Sequence, residues 1–209
     1  HIAKGVSIRE KTGLVRLDGK DGRVTKAELS DGSTLNVDFV IAGIGVTPND
    51  RLARESGLQV GNGIVVDEFT RTSDPDIHAM GDCTLLQMEG AAVRLESVQN
   101  AVDQAEAAAL VLAGEEKPYR PKPWFWSDQY DVKLQIAGFN AGYDETVLRP
   151  GQREGSHSIW YFRQGRFIAV DAINDAKAYV TGKKLLDVGA QPNRAVLDDH
   201  TADLKLLFT

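Results

Sequence analysis

The chain has one cysteine, Cys83, in 209 residues. That excludes an internal disulfide framework and fits a reducing, cytoplasmic setting. It also excludes a dithiol pair within this chain, and hence disulfide-reductase chemistry carried by these residues alone. The four histidines are scattered and lack metal-ligand spacing. No apolar run approaches the ~18 residues of a membrane-crossing helix. A formal net charge of −6 argues against a general nucleic-acid binder, which carries a basic face. There is no secretory signal pattern and no initiating Met; His1-Ile2-Ala3-Lys4-Gly5-Val6 reads like the interior of a domain. The expectation is a piece of a longer protein. With 42% apolar residues, the chain can bury a core in one large domain or two small ones.

What is present is organised around Asp74-Pro75-Asp76-Ile77-His78-Ala79-Met80-Gly81-Asp82-Cys83. A turn feeds a short apolar strand over 77–80, which ends on Gly81-Asp82. Gly81 lets a ligand approach the backbone because it has no Cβ. Asp82 is then expected just beyond the strand's carboxyl end, where open α/β sheets bind ligands. A carboxylate there accepts a strong hydrogen bond from a sugar-like hydroxyl. The plainer reading is a turn aspartate after a strand.

Before this stretch, 13–18, 23–29 and 34–44 read as strands. Asp18-Gly19, Asp21-Gly22 and Asp31-Gly32 supply turn chemistry. The third ends in a nearly continuous apolar run, Phe39 to Gly45, as suits a strand buried on both faces. Gly43 and Gly45 permit close approach at its end. Asn49 is a candidate cap for a short helix over 50–56. Another strand covers 64–67, and 84–93 reads as a loop or short hairpin. The clearest helix covers 97–113, with Ser97 as N-cap and Gly114 as stop. Val98, Ala101, Val102, Ala105, Ala108, Ala109 and Leu112 fall at helical spacing, while Gln104 and Glu106 fall outside that stripe.

Three prolines between Lys117 and Pro123 read as a linker to a second unit. That unit opens on Trp124-Phe125-Trp126-Ser127, where strand alternation predicts one tryptophan pointing inward. Strands are expected at 133–138, 145–148, 156–163 and 166–172, with Gln164-Gly165 closing the last two into a hairpin. A helix follows at 175–188, stopped by Gly189, and the last twenty residues read as polar and irregular.

Taken in order, the pieces are Gly43-Ile44-Gly45-Val46-Thr47-Pro48-Asn49, Gly63-Ile64-Val65-Val66-Asp67, and Thr72 through Cys83. Arg94-Leu95-Glu96-Ser97-Val98-Gln99-Asn100-Ala101 and Pro123-Trp124-Phe125-Trp126-Ser127-Asp128-Gln129-Tyr130 complete the series. In this order they resemble the carboxyl-terminal half of the FAD-dependent ferredoxin reductases that serve cytochrome P450 and ring-hydroxylating dioxygenase systems. The resemblance covers essentially the whole chain. It implies an α/β plus α+β fold: the second half of an FAD/NAD(P)-binding two-dinucleotide-domain fold, with a carboxyl-terminal reductase domain. Residues 1–46 would end the NAD-binding domain, 47–117 would be the carboxyl-terminal part of the FAD-binding domain, and 118–209 the reductase domain. The family's two Gly-x-Gly-x-x-Gly turns are not found here; Gly43-x-Gly45 lacks the third glycine.

The resemblance further implies FAD as cofactor, NAD(P)H as substrate and a [2Fe–2S] ferredoxin as partner. Its cofactor-binding set would be Gly45, Gly81, Asp82, Val98, Gln99 and Trp126. Asp82 would hold the ribityl chain. The N–H groups of Val98 and Gln99, at the positive end of a helix dipole, would face the flavin pyrimidine oxygen. Trp126 would stand beside the flavin near the electron exit. The same residues also read as an ordinary amphipathic core helix and as core aromatics. Glu96 is either near the nicotinamide or a solvated carboxylate. Cys83 reads as a small buried hydrophobe and His78 as structural. Hydride transfer to a flavin needs no protein nucleophile, so no catalytic residue and no metal are assigned. Lys117, Arg120 and Lys122 are candidates for a basic docking face. The alternatives are a rubredoxin reductase or related NADH oxidoreductase, and a non-catalytic binding or assembly fragment. The chain by itself is expected neither to hold FAD tightly nor to act as a reductase, and sheets cut mid-domain are expected to self-associate.

Overall fold

A computed structural model describes residues 1–88 and 90–208. The chain divides into two compact units, His1–Val46 and Thr47–Thr209.

The first unit is an antiparallel meander of β1 (Leu14–Lys20), β2 (Arg23–Leu29) and β3 (Thr34–Asn36). Asp21 (φ 53°) and Gly22 (φ 76°) form its first turn. Positive φ at both positions matches the right-handed twist of paired strands. The expected strand over 34–44 stops at Asn36. After the Val37 N–H to Thr25 carbonyl bond of 3.1 Å, the apolar run is not in a ladder, and Ile41 and Ile44 are 84% and 94% exposed. Hydrophobicity favours burial, but a strand also needs a neighbour for its N–H and C=O groups. Among the described residues, 39–46 has none.

The second unit starts with α1 (Arg51–Glu55), whose N-cap is Asp50 and not Asn49. Its cap makes no side-chain bond to the helix backbone; the Asp50 carboxylate pairs with Arg54 one turn on, at 3.0 Å. Then come β4 (Val60–Gly61), β5 (Gly63–Val65), β6 (Thr84–Met88) and β7 (Ala91–Val93), in that spatial order. β5 and β6 are parallel, and β6 and β7 pair antiparallel as a hairpin. Val66, Leu86 and Leu95 form a small core behind them.

The expected strand over 77–80 is only an isolated bridge, Arg71 to His78. The Asp74 carbonyl accepts the Ile77 N–H at 3.0 Å, and the Asp74 carboxylate accepts the Asp76 N–H at 3.0 Å. Local turn chemistry thus takes the N–H groups of Asp76 and Ile77, while the Ile77 carbonyl accepts the Thr72 N–H at 2.9 Å and the Ala79 N–H donates to the Thr70 carbonyl at 3.0 Å, so pairing is confined to this one bridge.

Helix α2 (Val98–Leu112) is capped by Ser97, whose hydroxyl accepts the Asn100 N–H at 3.1 Å. The proline-rich segment after it is tied by backbone hydrogen bonds at both ends. The Tyr119 N–H donates to the Glu68 carbonyl at 2.6 Å, and the Pro123 carbonyl accepts the Gly138 N–H at 2.8 Å.

Next is a five-stranded antiparallel sheet: β8 (Trp124–Gln129), β9 (Val132–Gly138), β10 (Glu145–Pro150), β11 (His157–Arg163) and β12 (Arg166–Ile173). Its order is β10-β11-β12-β9-β8. Gln164 (φ 51°) and Gly165 (φ 74°) make the tight β11–β12 turn. Helix α3 (Ala176–Val188) covers one face, burying Trp160, Phe162, Val170 and Leu185. Gly182 lets it come close: a Cβ there would lie 2.5 Å from Val170 Cγ1.

The carboxyl-terminal stretch is not irregular. It contains α4 (Arg194–Asp198) and a 3-10 turn (Leu204–Phe208), with Leu197 0%, Leu204 6% and Leu207 1% exposed. Its leucines at 197, 204 and 207 complete the core. Arg149, only 4% exposed, holds the stretch by donating to backbone carbonyls of Val196, Leu197, Asp199 and Ala202.

Candidate cofactor site

Gly81 is buried with φ 84°, a left-handed conformation that suits glycine. Its carbonyl accepts the Thr84 N–H at 3.0 Å, closing a tight turn. Asp82 is exposed on that turn. It therefore stands at the entry to β6 and not at the carboxyl end of a strand, because 77–80 makes no ladder.

The turn lies against α2. A Cβ at Gly81 would meet Ala101 Cβ at 3.6 Å, ordinary contact. Asp82 and α2 residues Val98, Ala101, Val102, Ala105, Glu106 and Ala109 line one open, shallow surface. The helix is inverted relative to a core helix. Much of its apolar stripe faces outward: Val98 is 75%, Val102 50% and Leu112 70% exposed. Its buried face carries Asn100 and Gln104, each 1% exposed, with Ala108 and Val111. A buried amide must be hydrogen-bonded, and both are. Asn100 donates to the Leu95 carbonyl at 3.1 Å and accepts the Tyr119 hydroxyl at 2.9 Å. Gln104 Oε1 accepts the Gly81 N–H at 2.8 Å and lies 3.0 Å from the Thr84 hydroxyl. Burial, with the Asp103 charge adding to it, pushes the Tyr119 phenol up to about 12, so the hydroxyl stays a donor.

At the helix start, the Ser97 carbonyl takes the Ala101 N–H at 3.0 Å and its hydroxyl takes the Asn100 N–H. The Val98 and Gln99 N–H groups precede the first intrahelical bond. The Gln99 side chain donates to Asp103. Asp82, Val98 and the N-terminal turn of α2 thus come together as one surface.

Trp126 lines a different cleft, with Trp124, Lys133, Gln135 and Tyr179. The two tryptophans stack with ring centroids 5.5 Å apart. Being two residues apart on β8 they share a face, so alternation does not turn just one of them inward; Phe125 also lines this cleft, its ring centroid 6.1 Å from that of Trp126. Gly45 (φ 97°) has no atom within 4 Å of a would-be Cβ, and it belongs to the first unit. Glu96 pairs with Arg94. His78 Nδ1 lies 2.8 Å from the hydroxyl of the buried Thr70. Cys83 is partly buried, its thiol 3.7 Å from the Met80 carbonyl. Arg120 pairs with Glu68 at 3.6 Å and Lys122 donates to the Asp187 carbonyl at 2.5 Å. Two of the three cations expected to form a docking face therefore have local partners.

Sequence reasoning passed over Gln104 and Asn100. Their i, i+4 spacing, with Ala108 and Val111 continuing the same face, is the signal that a second stripe is buried.

Asp82 and exposed apolar side chains of α2 thus border one open surface. The family profile described as pyridine nucleotide-disulphide oxidoreductase matches residues 1–105, and one described as reductase C-terminal matches 124–208. The chain belongs to the pyridine nucleotide-disulphide oxidoreductase family. Over 210 residues it is 43% identical to rhodocoxin reductase of Rhodococcus erythropolis, covering 99% of this chain and 49% of that protein. The ferredoxin reductase for the CYP199A2 system from Rhodopseudomonas palustris superposes with a TM-score of 0.91 at 40% identity. That match covers 100% of this chain and 52% of the other. A covalent putidaredoxin reductase–putidaredoxin complex gives a TM-score of 0.91 at 37% identity, covering 99% and 50%. The chain spans about half the length of the curated relatives it matches.

Proposed function

We propose that these residues are the carboxyl-terminal half of an NAD(P)H-dependent, FAD-containing ferredoxin reductase. The observation that carries this reading is the orientation of α2: it buries the amides of Asn100 and Gln104 and leaves Val98 and Val102 exposed beside Asp82. Leaving Val98 and Val102 in water forgoes burial of about 1.5–3 kcal/mol per large apolar side chain. A bound group that covers them recovers that energy.

The residues suit one end of FAD. The Asp82 carboxylate is exposed and can accept a ribityl hydroxyl. The Val98 and Gln99 N–H groups, with about half a positive charge from the helix dipole, suit the electron-rich carbonyl edge of the ring. Val98, Ala101 and Val102 offer an apolar floor. Trp126 is assigned to the electron exit, and Gly81 to holding the turn. Gly45 is assigned to the nucleotide-facing end of the first unit. When bound, FAD supplies the chemistry of taking hydride from NAD(P)H and releasing single electrons to a [2Fe–2S] ferredoxin. This chain's part is to bind, orient and shield. In this reading residues 1–46 close an NAD-binding domain, 47–117 close the FAD-binding domain and 118–209 form the interface domain, working in the cytoplasm. Among the described residues no helix is long and apolar enough to cross a membrane.

The test is Asp82→Ala in the intact reductase that carries this segment. A lost hydrogen bond to a charged group costs about 1.5–3 kcal/mol, roughly a ten- to hundred-fold loss of FAD affinity. Flavin retained after dialysis measures it, and equal occupancy in variant and parent refutes the assignment.

A further inference from the structure

We propose that Gln104 is a positioning residue for the cofactor site, and that its side-chain amide sets where the Asp82 carboxylate stands relative to the start of α2. The inference rests on the reading of Asp82 as the ribityl-hydroxyl acceptor.

Asp82 is exposed, and its location follows from the backbone of its turn. The turn hangs on one buried amide. Gln104 Oε1 accepts the Gly81 N–H at 2.8 Å. The Thr84 hydroxyl lies 3.0 Å from the same oxygen and 2.8 Å from the Gly81 carbonyl, so its single hydrogen is shared between two acceptors. Gly81, Thr84 and Gln104 are all buried, so in the folded chain the amide and not bulk water serves this N–H. The Gly81 N–H precedes Asp82 by one peptide unit. Losing its acceptor leaves a buried donor unpaired, and the turn regains a partner only by moving away from α2. Because Gln104 is on the helix that presents the Val98 and Gln99 N–H groups, one side chain links the two halves of the proposed site. Mere core filling does not require this geometry: an apolar side chain of similar size would fill the space without orienting the turn.

The experiment is a double-mutant cycle in the intact reductase, with FAD titrated into apoprotein and followed by flavin fluorescence. The chains are the parent, Asp82→Ala, Gln104→Ala, the double variant and Gln104→Glu. If Gln104 acts through Asp82, Gln104→Ala weakens FAD roughly tenfold when Asp82 is present, as for a buried donor left unpaired. In the Asp82→Ala background it changes little, because the placed group is gone. Gln104→Glu keeps an acceptor oxygen and restores most of the affinity. Equal weakening in both backgrounds, or none in either, overturns the role of Gln104. Parental affinity in Asp82→Ala overturns the reading of Asp82, and the Gln104 inference with it. Thr84→Val removes one donor to the same oxygen without opening a cavity. It carries the same cycle if Gln104→Ala does not fold: weakening confined to the Asp82 background supports the inference, and weakening that ignores Asp82 refutes it.

Discussion

Replacing Arg149 by Met is expected to destabilise the β8–β12 sheet with its helices by about 3 kcal/mol, the order expected when buried acceptors worth ~1–3 kcal/mol each lose their donor. Arg149 reaches from β10 and its guanidinium carries the carboxyl-terminal stretch. Nη1 lies 2.8 Å from the Val196 carbonyl, 3.0 Å from that of Leu197 and 2.9 Å from that of Asp199, while Nη2 donates to Ala202. Nη1 has two hydrogens for three carbonyls, so at least one is shared. Summing four charged bonds at ~1.5–3 kcal/mol each overstates the gain, because the guanidinium also gives up its hydration on burial. Met keeps a stem of similar length, so the loss reports hydrogen bonding more than packing. The freed carbonyls cannot simply peel away. The stretch they belong to buries Leu197, Leu204 and Leu207 in the main core, at about 1.5–3 kcal/mol each. The variant should therefore unfold the sheet at lower denaturant, not release a floppy tail. The three tryptophans, Trp124, Trp126 and Trp160, all lie in this sheet. Their emission therefore follows it in a urea titration. With m near 1–3 kcal/mol/M, the midpoint falls by about 1–3 M. A Met variant within about 0.5 kcal/mol of the parent, the range of neutral surface changes, would refute the role given to Arg149.

Two further outcomes follow from the same sheet. Trp126→Ala in the intact reductase should slow electron delivery to the ferredoxin more than reduction of FAD by NAD(P)H; stopped-flow measurement of both half-reactions decides, and unchanged ferredoxin reduction removes Trp126 from the electron path. Burial raises the Asp171 carboxyl, outweighing the hydrogen bond from the Tyr161 hydroxyl at 2.7 Å, and its other oxygen is buried without a partner. A carboxyl raised on folding contributes stability below its unfolded value of about 3.9 and loses it as pH rises through the folded value. Asp171→Asn should thus gain on the parent between pH 4 and pH 7, compared by urea midpoints. A gap that stays constant or narrows over that range contradicts the burial argument.

Turn chemistry was legible in the sequence because it is local. Asp21-Gly22 and Gln164-Gly165 close hairpins as their residue types dictate, since positive φ is a property of the residue and its neighbours. Helices α2 and α3 were legible for the same reason, each having a cap residue at its start and a glycine within two residues of its end. The order of motifs was enough to recognise the family, because it needs no geometry. Tertiary structure decided which face of each element is inside. Periodicity found the apolar stripe of α2 but could not show that Asn100 and Gln104 lie underneath it, because burial of an amide depends on partners distant in sequence, here Gly81 and Tyr119. The same holds for the carboxyl-terminal stretch: its polar composition hid three core leucines, and the stretch that carries them is held by Arg149, about fifty residues earlier, which donates to the carbonyls of Val196, Leu197, Asp199 and Ala202. The run from Phe39 to Gly45 has the opposite lesson. Its composition asks for a sheet interior, yet a strand exists only where a neighbouring backbone completes its hydrogen bonds, and that is settled by what else is there to pair with it.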